Sequence, residues 1–170
     1  GGLEMSGGNY DLLEGKGYWS GPLIDDKLAF SLSAVSRHRD GFLWAPAYGE
    51  NIGDVARLSG RAKLRWTPNE DWDVSLSVYG QQDLSDPGVG VPLQVAANVV
   101  NPYANDTFNR DLTRTEIFGP MGQALWNNGA SLNATYDASP AVQVNSITGY
   151  GNLRIHSTGS ILWITAAAQQ

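Results

Sequence analysis

The chain has 170 residues, 42% of them hydrophobic and 16% charged, with a formal net charge of −6 and no cysteine. It is too apolar for a disordered chain, too acidic to favour nucleic acid as a partner, and without thiols for disulfides or thiolate metal sites. Twenty glycines and six tryptophans suit a β protein with many turns. No apolar run approaches the roughly 18 residues of a membrane helix, and the longest, ILWITAAA at 161–168, is far too short. No export signal is visible at the start, which leaves a cytosolic protein or a chain whose true N-terminus lies upstream.

In chain order, the first alternating segment is GNYDLLEGKGYWSG, which leads to a short turn within PLIDDKL, 22–28. In the next run Leu28, Phe30, Leu32 and Ala34 share one face, and Ala29, Ser31, Ser33 and Val35 the other. A loop of about 20 residues, HRDGFLWAPAYGENIGDVA, follows. The run 56–66 then sets Arg57, Ser59, Arg61, Lys63 and Arg65 against Leu58, Gly60, Ala62, Leu64 and Trp66. After the turn TPNED, 67–71, the run 72–82 sets Trp72, Val74, Leu76 and Val78 against Asp73, Ser75, Ser77 and Tyr79. Such period-two alternation predicts strands with one apolar and one polar face. More than 40 residues, roughly 83–128, separate this hairpin from a third, ASLNATY and VQVNSITGY joined by DASPA at 137–141.

Short turns thus alternate with long loops, as in outer-membrane barrels, and 11-residue runs match the ~9–11 residues of a tilted membrane strand. Trp66 and Trp72 flank a short turn on the apolar face, and Tyr136 holds the matching place in the third hairpin. Those are the positions of an interfacial aromatic girdle. The predicted fold is all-β: an antiparallel meander of about six strands, a segment of a transmembrane β-barrel, with the turns near 25, 69 and 139 at one edge. The alternative is a soluble secreted β-sandwich, a glycan-binding module with aromatics lining a sugar groove. Leu64, Trp66, Trp72, Leu76 and Val78 separate the two: packed against a second sheet in a sandwich, one continuous apolar surface in a barrel.

Several stretches resemble a known family: GNYDLLEGKGYWSGPLIDDKLAFSLSA, the RDG at 39–41, SGRAKLRWTPNEDWDVSLSV and SITGY at 146–150. They are similar to early barrel strands of TonB-dependent outer-membrane receptors, over about residues 8–86 and 130–152. The resemblance implies a partial receptor barrel over residues 1–156 and a tail of unclear status at 157–170. It also implies location in the bacterial outer membrane, and a plug domain and a TonB-type energy-coupling partner outside this chain. The function implied is import of iron chelates (siderophores) or other scarce nutrients, with no cofactor. A barrel of this kind has about 22 strands, so six or seven make a fragment of its wall.

The candidate sites follow from these faces. Arg61, Lys63, Arg65 and Asp73 are expected to face the lumen or the plug, and the basic row Arg57, Arg61, Lys63 and Arg65 either attracts an anionic ligand such as a ferric chelate or pairs with the plug or with acidic neighbours such as Asp73 and Glu14. Arg57, nearest the extracellular end of the basic row, is the best ligand candidate in it. The loop RHRDGFLWAPAY adds Arg37, Arg39, Phe42, Trp44 and Tyr48, a set suited to stacking and bidentate hydrogen bonding with a carboxylate-rich or aromatic chelate. The same aromatics could simply anchor the loop at the upper interface. His38 and His156 have no partners at metal-ligand spacing, and DLSDPG at 83–88 lacks a calcium-loop pattern. No nucleophile–base pair, paired catalytic carboxylate or phosphate loop is legible, so no enzyme activity is expected.

Overall fold

Each alternating run forms a strand in the computed structural model of the chain, which describes residues 1–45, 49–86 and 122–158. The strands are β1 (Gly2–Gly8), β2 (Leu12–Ile24), β3 (Leu28–Arg39), β4 (Leu43–Ala45), β5 (Glu50–Ile52), β6 (Val55–Trp66), β7 (Trp72–Asp83), β8 (Gly122–Ser139) and β9 (Val142–Thr158). Seven of them make one sheet in the order β1-β2-β3-β6-β7-β8-β9, and β4 and β5 pair separately. Every pairing is antiparallel, as short connections between neighbours dictate.

The turns near 25, 69 and 139 lie side by side along one edge. The Thr67 N–H donates to the Lys27 carbonyl at 2.8 Å, and the Asp137 N–H to the Asp71 carbonyl at 2.9 Å. The opposite edge departs from expectation. A further short turn, Asn9–Asp11, separates β1 from β2 there, where the sequence was read as one continuous segment. Tyr10 and Asp11 both take positive φ, 59° and 52°, a backbone that Asp tolerates better than most residues. Gly7, Gly8, Asn9 and Asp11 are turn-forming residues clustered at this point, a signal that the reading of 8–21 as one segment passed over.

The loops are also shorter than expected. Strand β3 continues through Arg39, so Arg37 and Arg39 belong to the sheet and not to the loop. Residues 40–54 carry the β4–β5 hairpin, β8 begins at Gly122 rather than near 129, and β9 runs through Thr158, past the boundary drawn at 156. The remaining tail, like the central part of 83–128, lies outside the described residues.

The register assigns every side chain to a face. One row runs Gly21, Phe30, Leu64, Leu76, Leu132 and Thr148 across β2, β3, β6, β7, β8 and β9. The next residue along each strand belongs to the other face, where Tyr18, Ser33, Arg61, Tyr79, Gly129 and Gly151 form a row. On the first face Leu64, Trp66, Trp72, Leu76 and Val78 are 39–49% exposed. A soluble domain would bury such residues, and its largest apolar patch would be roughly 300–600 Å². No second sheet covers them: among the described residues the buried hydrophobics are Leu43, Ala45 and Ile52, all in the β4–β5 hairpin. They form one continuous apolar surface, and no second sheet packs on it among the described residues, as a sandwich would require.

Candidate functional site

The second face is polar, and the described ion pairs within the seven-stranded sheet lie on it. One row on it crosses four strands: Glu14 on β2, Arg37 on β3, Arg57 on β6 and Asp83 on β7, each registered opposite the next. Two guanidinium groups directly opposite each other repel. Here a carboxylate stands on either side of the pair. Arg57 Nε lies 2.8 Å from Asp83 Oδ2, and Arg37 Nε 3.7 Å from Glu14 Oε2. Glu14 also holds Lys16 at 2.6 Å, so it is not a partner of the basic row on β6 as the sequence suggested. Both carboxylate side chains are largely covered, at 16% and 13% exposure, whereas those of Arg37 and Arg57 are 42% and 56% exposed. The arginines are therefore the accessible half of the row, held side by side facing outward from it.

Down β6 from this row the basic residues are tied by the sheet itself. Arg61 Nε donates to Ser77 Oγ at 2.9 Å, and Ser77 is buried. Lys63 stands between Ser31 and Ser77 in register. Arg65 makes a two-pronged contact with Asp73, Nη2 to Oδ2 at 2.7 Å and Nε to Oδ1 at 3.1 Å. Asp73 is not directly opposite Arg65, which faces Ser75; it lies one step away on the diagonal. Because both side chains are about half exposed, this pair is worth little. Arg65→Ala is expected to change unfolding free energy by less than about 1 kcal/mol in a denaturant titration.

Above the row sits the 40–54 loop, and it has its own small core. Leu43, Ala45 and Ile52 are buried. Gly41 is packed so tightly that a Cβ there would lie 2.7 Å from the Ile52 carbonyl oxygen, and the Phe42 N–H donates to that same oxygen at 3.1 Å. Arg39 ties the loop to the sheet: Nη2 donates to the Gly53 carbonyl at 3.0 Å, and its Cζ lies 5.0 Å from the Phe42 ring centroid. Tyr10, from the β1–β2 turn, packs against Phe42 at 6.0 Å, and its carbonyl accepts the Asp40 N–H at 2.8 Å. Phe42 and Trp44 remain 38% and 42% exposed, so the loop presents aromatic surface on a fixed frame. Tyr48 lies outside the described residues.

At the far edge Trp72 and Tyr136 are registered opposite one another and stack at 4.5 Å with 24° between their planes. Trp66 is on the same apolar face, 49% exposed beside the same line of turns. His38 lies 3.3 Å from Asp40, and no group of three metal-ligating side chains occurs among the described residues.

Asp83 was missed in the sequence because it was assigned to the long loop. A hairpin centred on Glu70 pairs Arg57 with Asp83, so the signal was present in the turn.

No family model matches the chain. Its structure is similar to that of the ferric yersiniabactin uptake receptor FyuA from Yersinia pestis, with a TM-score of 0.68 and 17% sequence identity over 89% of this chain. The match covers 22% of that receptor, so the chain spans about a fifth of its length. At this identity the likeness is one of fold, and it agrees with the register: the chain is an antiparallel meander with the architecture of a barrel wall.

Proposed function

We propose that this chain is part of the wall of a TonB-dependent transporter in the bacterial outer membrane, importing iron chelates such as siderophores or other scarce nutrients. The observation that carries the reading is the division of faces. The six strands β1, β2, β3, β6, β7 and β8 keep an uncovered apolar surface on one side and an ion-paired polar surface on the other, as expected between lipid and a wet lumen, whereas the edge strand β9 mixes the two, with Arg154 on the first face and Ile147, Leu153 and Ile155 on the second. The fold likeness to an uptake receptor supports it. In this reading the wall does no chemistry. A plug domain outside this chain closes the lumen, and an inner-membrane partner supplies the energy to move it. The Arg37–Arg57 pair and the loop aromatics Phe42 and Trp44 form the outer part of the ligand surface, suited to an anionic or aromatic chelate.

Position along β6 gives the test. Arg57 lies near the loop edge and Arg65 near the turn edge, eight residues and roughly 26 Å apart along the strand. A ligand arriving from outside meets Arg57 and Trp44 first. A desolvated charge-assisted contact is worth ~1.5–3 kcal/mol, so its loss is a change of about tenfold or more in affinity. In the full-length receptor, a binding titration should show Arg57→Ala and Trp44→Ala weakened by that amount and Arg65→Ala close to wild type. Wild-type affinity in the first two variants would leave this rim without a ligand role.

A further inference from the structure

One charged side chain breaks the apolar face. Among the described residues, every Asp, Glu and Lys in the seven strands, and every other Arg, belongs to the polar face. The exception is Arg154 on β9, registered opposite Trp126 in a row that continues to Gln82 on β7 and Leu58 on β6. Gln82 is the first polar residue beyond the apolar band of β7. Arg154 lies further from its own turn than Gln82 does from the turn at 67–71, so it stands just past the band, toward the loop edge. We propose that Arg154, with Trp126 beside it, binds the phosphate of an anionic lipid headgroup in the leaflet on that side. Such a site requires that the apolar face meet lipid, as in the function proposed above.

Hydrocarbon makes a charge costly at mid-depth, and the cost fades at the interface, so Arg154 sits where this face can carry a cation. A counter-charge has no source on the same face, which holds no carboxylate in the described strands. The arginines of the polar face differ. Arg57 pairs with Asp83, Arg65 with Asp73, and Arg37 lies 3.7 Å from Glu14. Arg154 is exposed and forms no ion pair among the described residues.

At this depth lipid itself offers phosphate. A guanidinium presents its N–H groups as a planar fork that bonds two phosphate oxygens at once, and it is more weakly hydrated than an ammonium. Trp126, directly across the strand pair, has the apolar body and single N–H of a side chain that settles at headgroup level. Asn128 and Asn152, opposite each other one row toward the band, add amide donors on the same face. A zwitterionic headgroup carries its own cation beside the phosphate and leaves less net charge for Arg154 to meet.

Lipid retention by the full-length protein tests the site. The protein is refolded into phosphatidylcholine vesicles doped with phosphatidic acid, extracted in neutral detergent, and its retained lipid identified by native mass spectrometry. One charge-assisted contact corresponds to a preference of about tenfold for phosphatidic acid in the wild type. Arg154→Gln should lose most of it. Arg154→Lys should recover part, as a point charge without the fork. Arg65→Gln removes a cation from the polar face and should leave the preference unchanged. For protein that has entered the vesicles, a wild-type preference in Arg154→Gln, or an equal loss in Arg65→Gln, overturns the proposal. Protein that stays out of bilayers altogether overturns the lipid-facing reading, and the site with it.

Discussion

Leu76→Arg is expected to cost about 2–4 kcal/mol of stability in lipid vesicles, against about 0–1 kcal/mol for Gln82→Arg. Both positions lie on the same strand and the same face, since Leu76 is registered with Leu64 and Leu132, and Gln82 with Leu58 and Trp126. They differ in depth. On β7 the apolar face runs from Trp72 through Val74, Leu76 and Val78 to Gly80, and Gln82 is the first polar residue beyond it. From Trp72 to Gly80 is roughly 26 Å along the strand, about 20 Å of height once a tilt of about 40° is allowed for, which fills most of a ~25 Å lipid-facing band and puts Leu76 near its centre. An arginine there must be stripped of water or thin the bilayer around itself. At position 82 it reaches the headgroups. Urea unfolding of the full-length protein in vesicles, followed by tryptophan fluorescence, measures both costs. Equal destabilisation at the two positions would show that this face does not meet lipid.

Gly129→Val is expected to destabilise the protein by about 2–3 kcal/mol, at the upper end of overpacking effects, because the obstruction is backbone. A Cβ at Gly129 would run into the Tyr150 carbonyl oxygen on the neighbouring strand and lie 2.7 Å from the Tyr79 hydroxyl oxygen. The Tyr79 ring lies across the sheet over Gly129, and its hydroxyl comes within 3.7 Å of where a Cβ on Gly151 would be. An aromatic covering glycines on adjacent strands fills space that side chains would otherwise contest, and it pins the register of β7, β8 and β9. Tyr79→Ala would relieve the ring contact but not the carbonyl one, so the double variant with Gly129→Val should recover only part of the loss. Gly80→Ala is the matched control, since a Cβ there meets nothing within 4 Å. Its effect should stay within about 1 kcal/mol. The difference between heated and unheated mobility on detergent gels, followed against temperature, reads all four. A Gly129→Val protein as stable as the wild type would mean that β8 and β9 can separate at this point without cost.

The largest part of the fold was legible in residues 56–82. There the alternation is strict, the turn is marked by Pro68 and Asn69, and a single register puts every apolar residue on one face. A period of two leaves no freedom in a hairpin of that kind: naming the turn names the face of each side chain. The pairing of Arg65 with Asp73 followed from the same pattern. Strand ends were less legible. Arg37, Arg39 and Asp83 are polar residues beyond the apolar band, and without a large apolar residue of that band beside them they read as loop.

Which face is apolar and which polar was also implied by the sequence, through the tryptophans beside the short turn and the basic residues opposite them. What only the tertiary structure decided is which residues of different strands meet. The row Glu14, Arg37, Arg57 and Asp83 comes from four strands spread over 70 positions of sequence, and no local pattern couples them. The same holds for Tyr10 beneath Phe42 and for the Asp86 N–H, which donates to Asp54 Oδ1. Periodicity is a property of one strand, set by the backbone geometry that turns successive side chains to opposite sides. A rim is a property of strand ends brought together, and it depends on the length of every turn and the stagger of every pair between them.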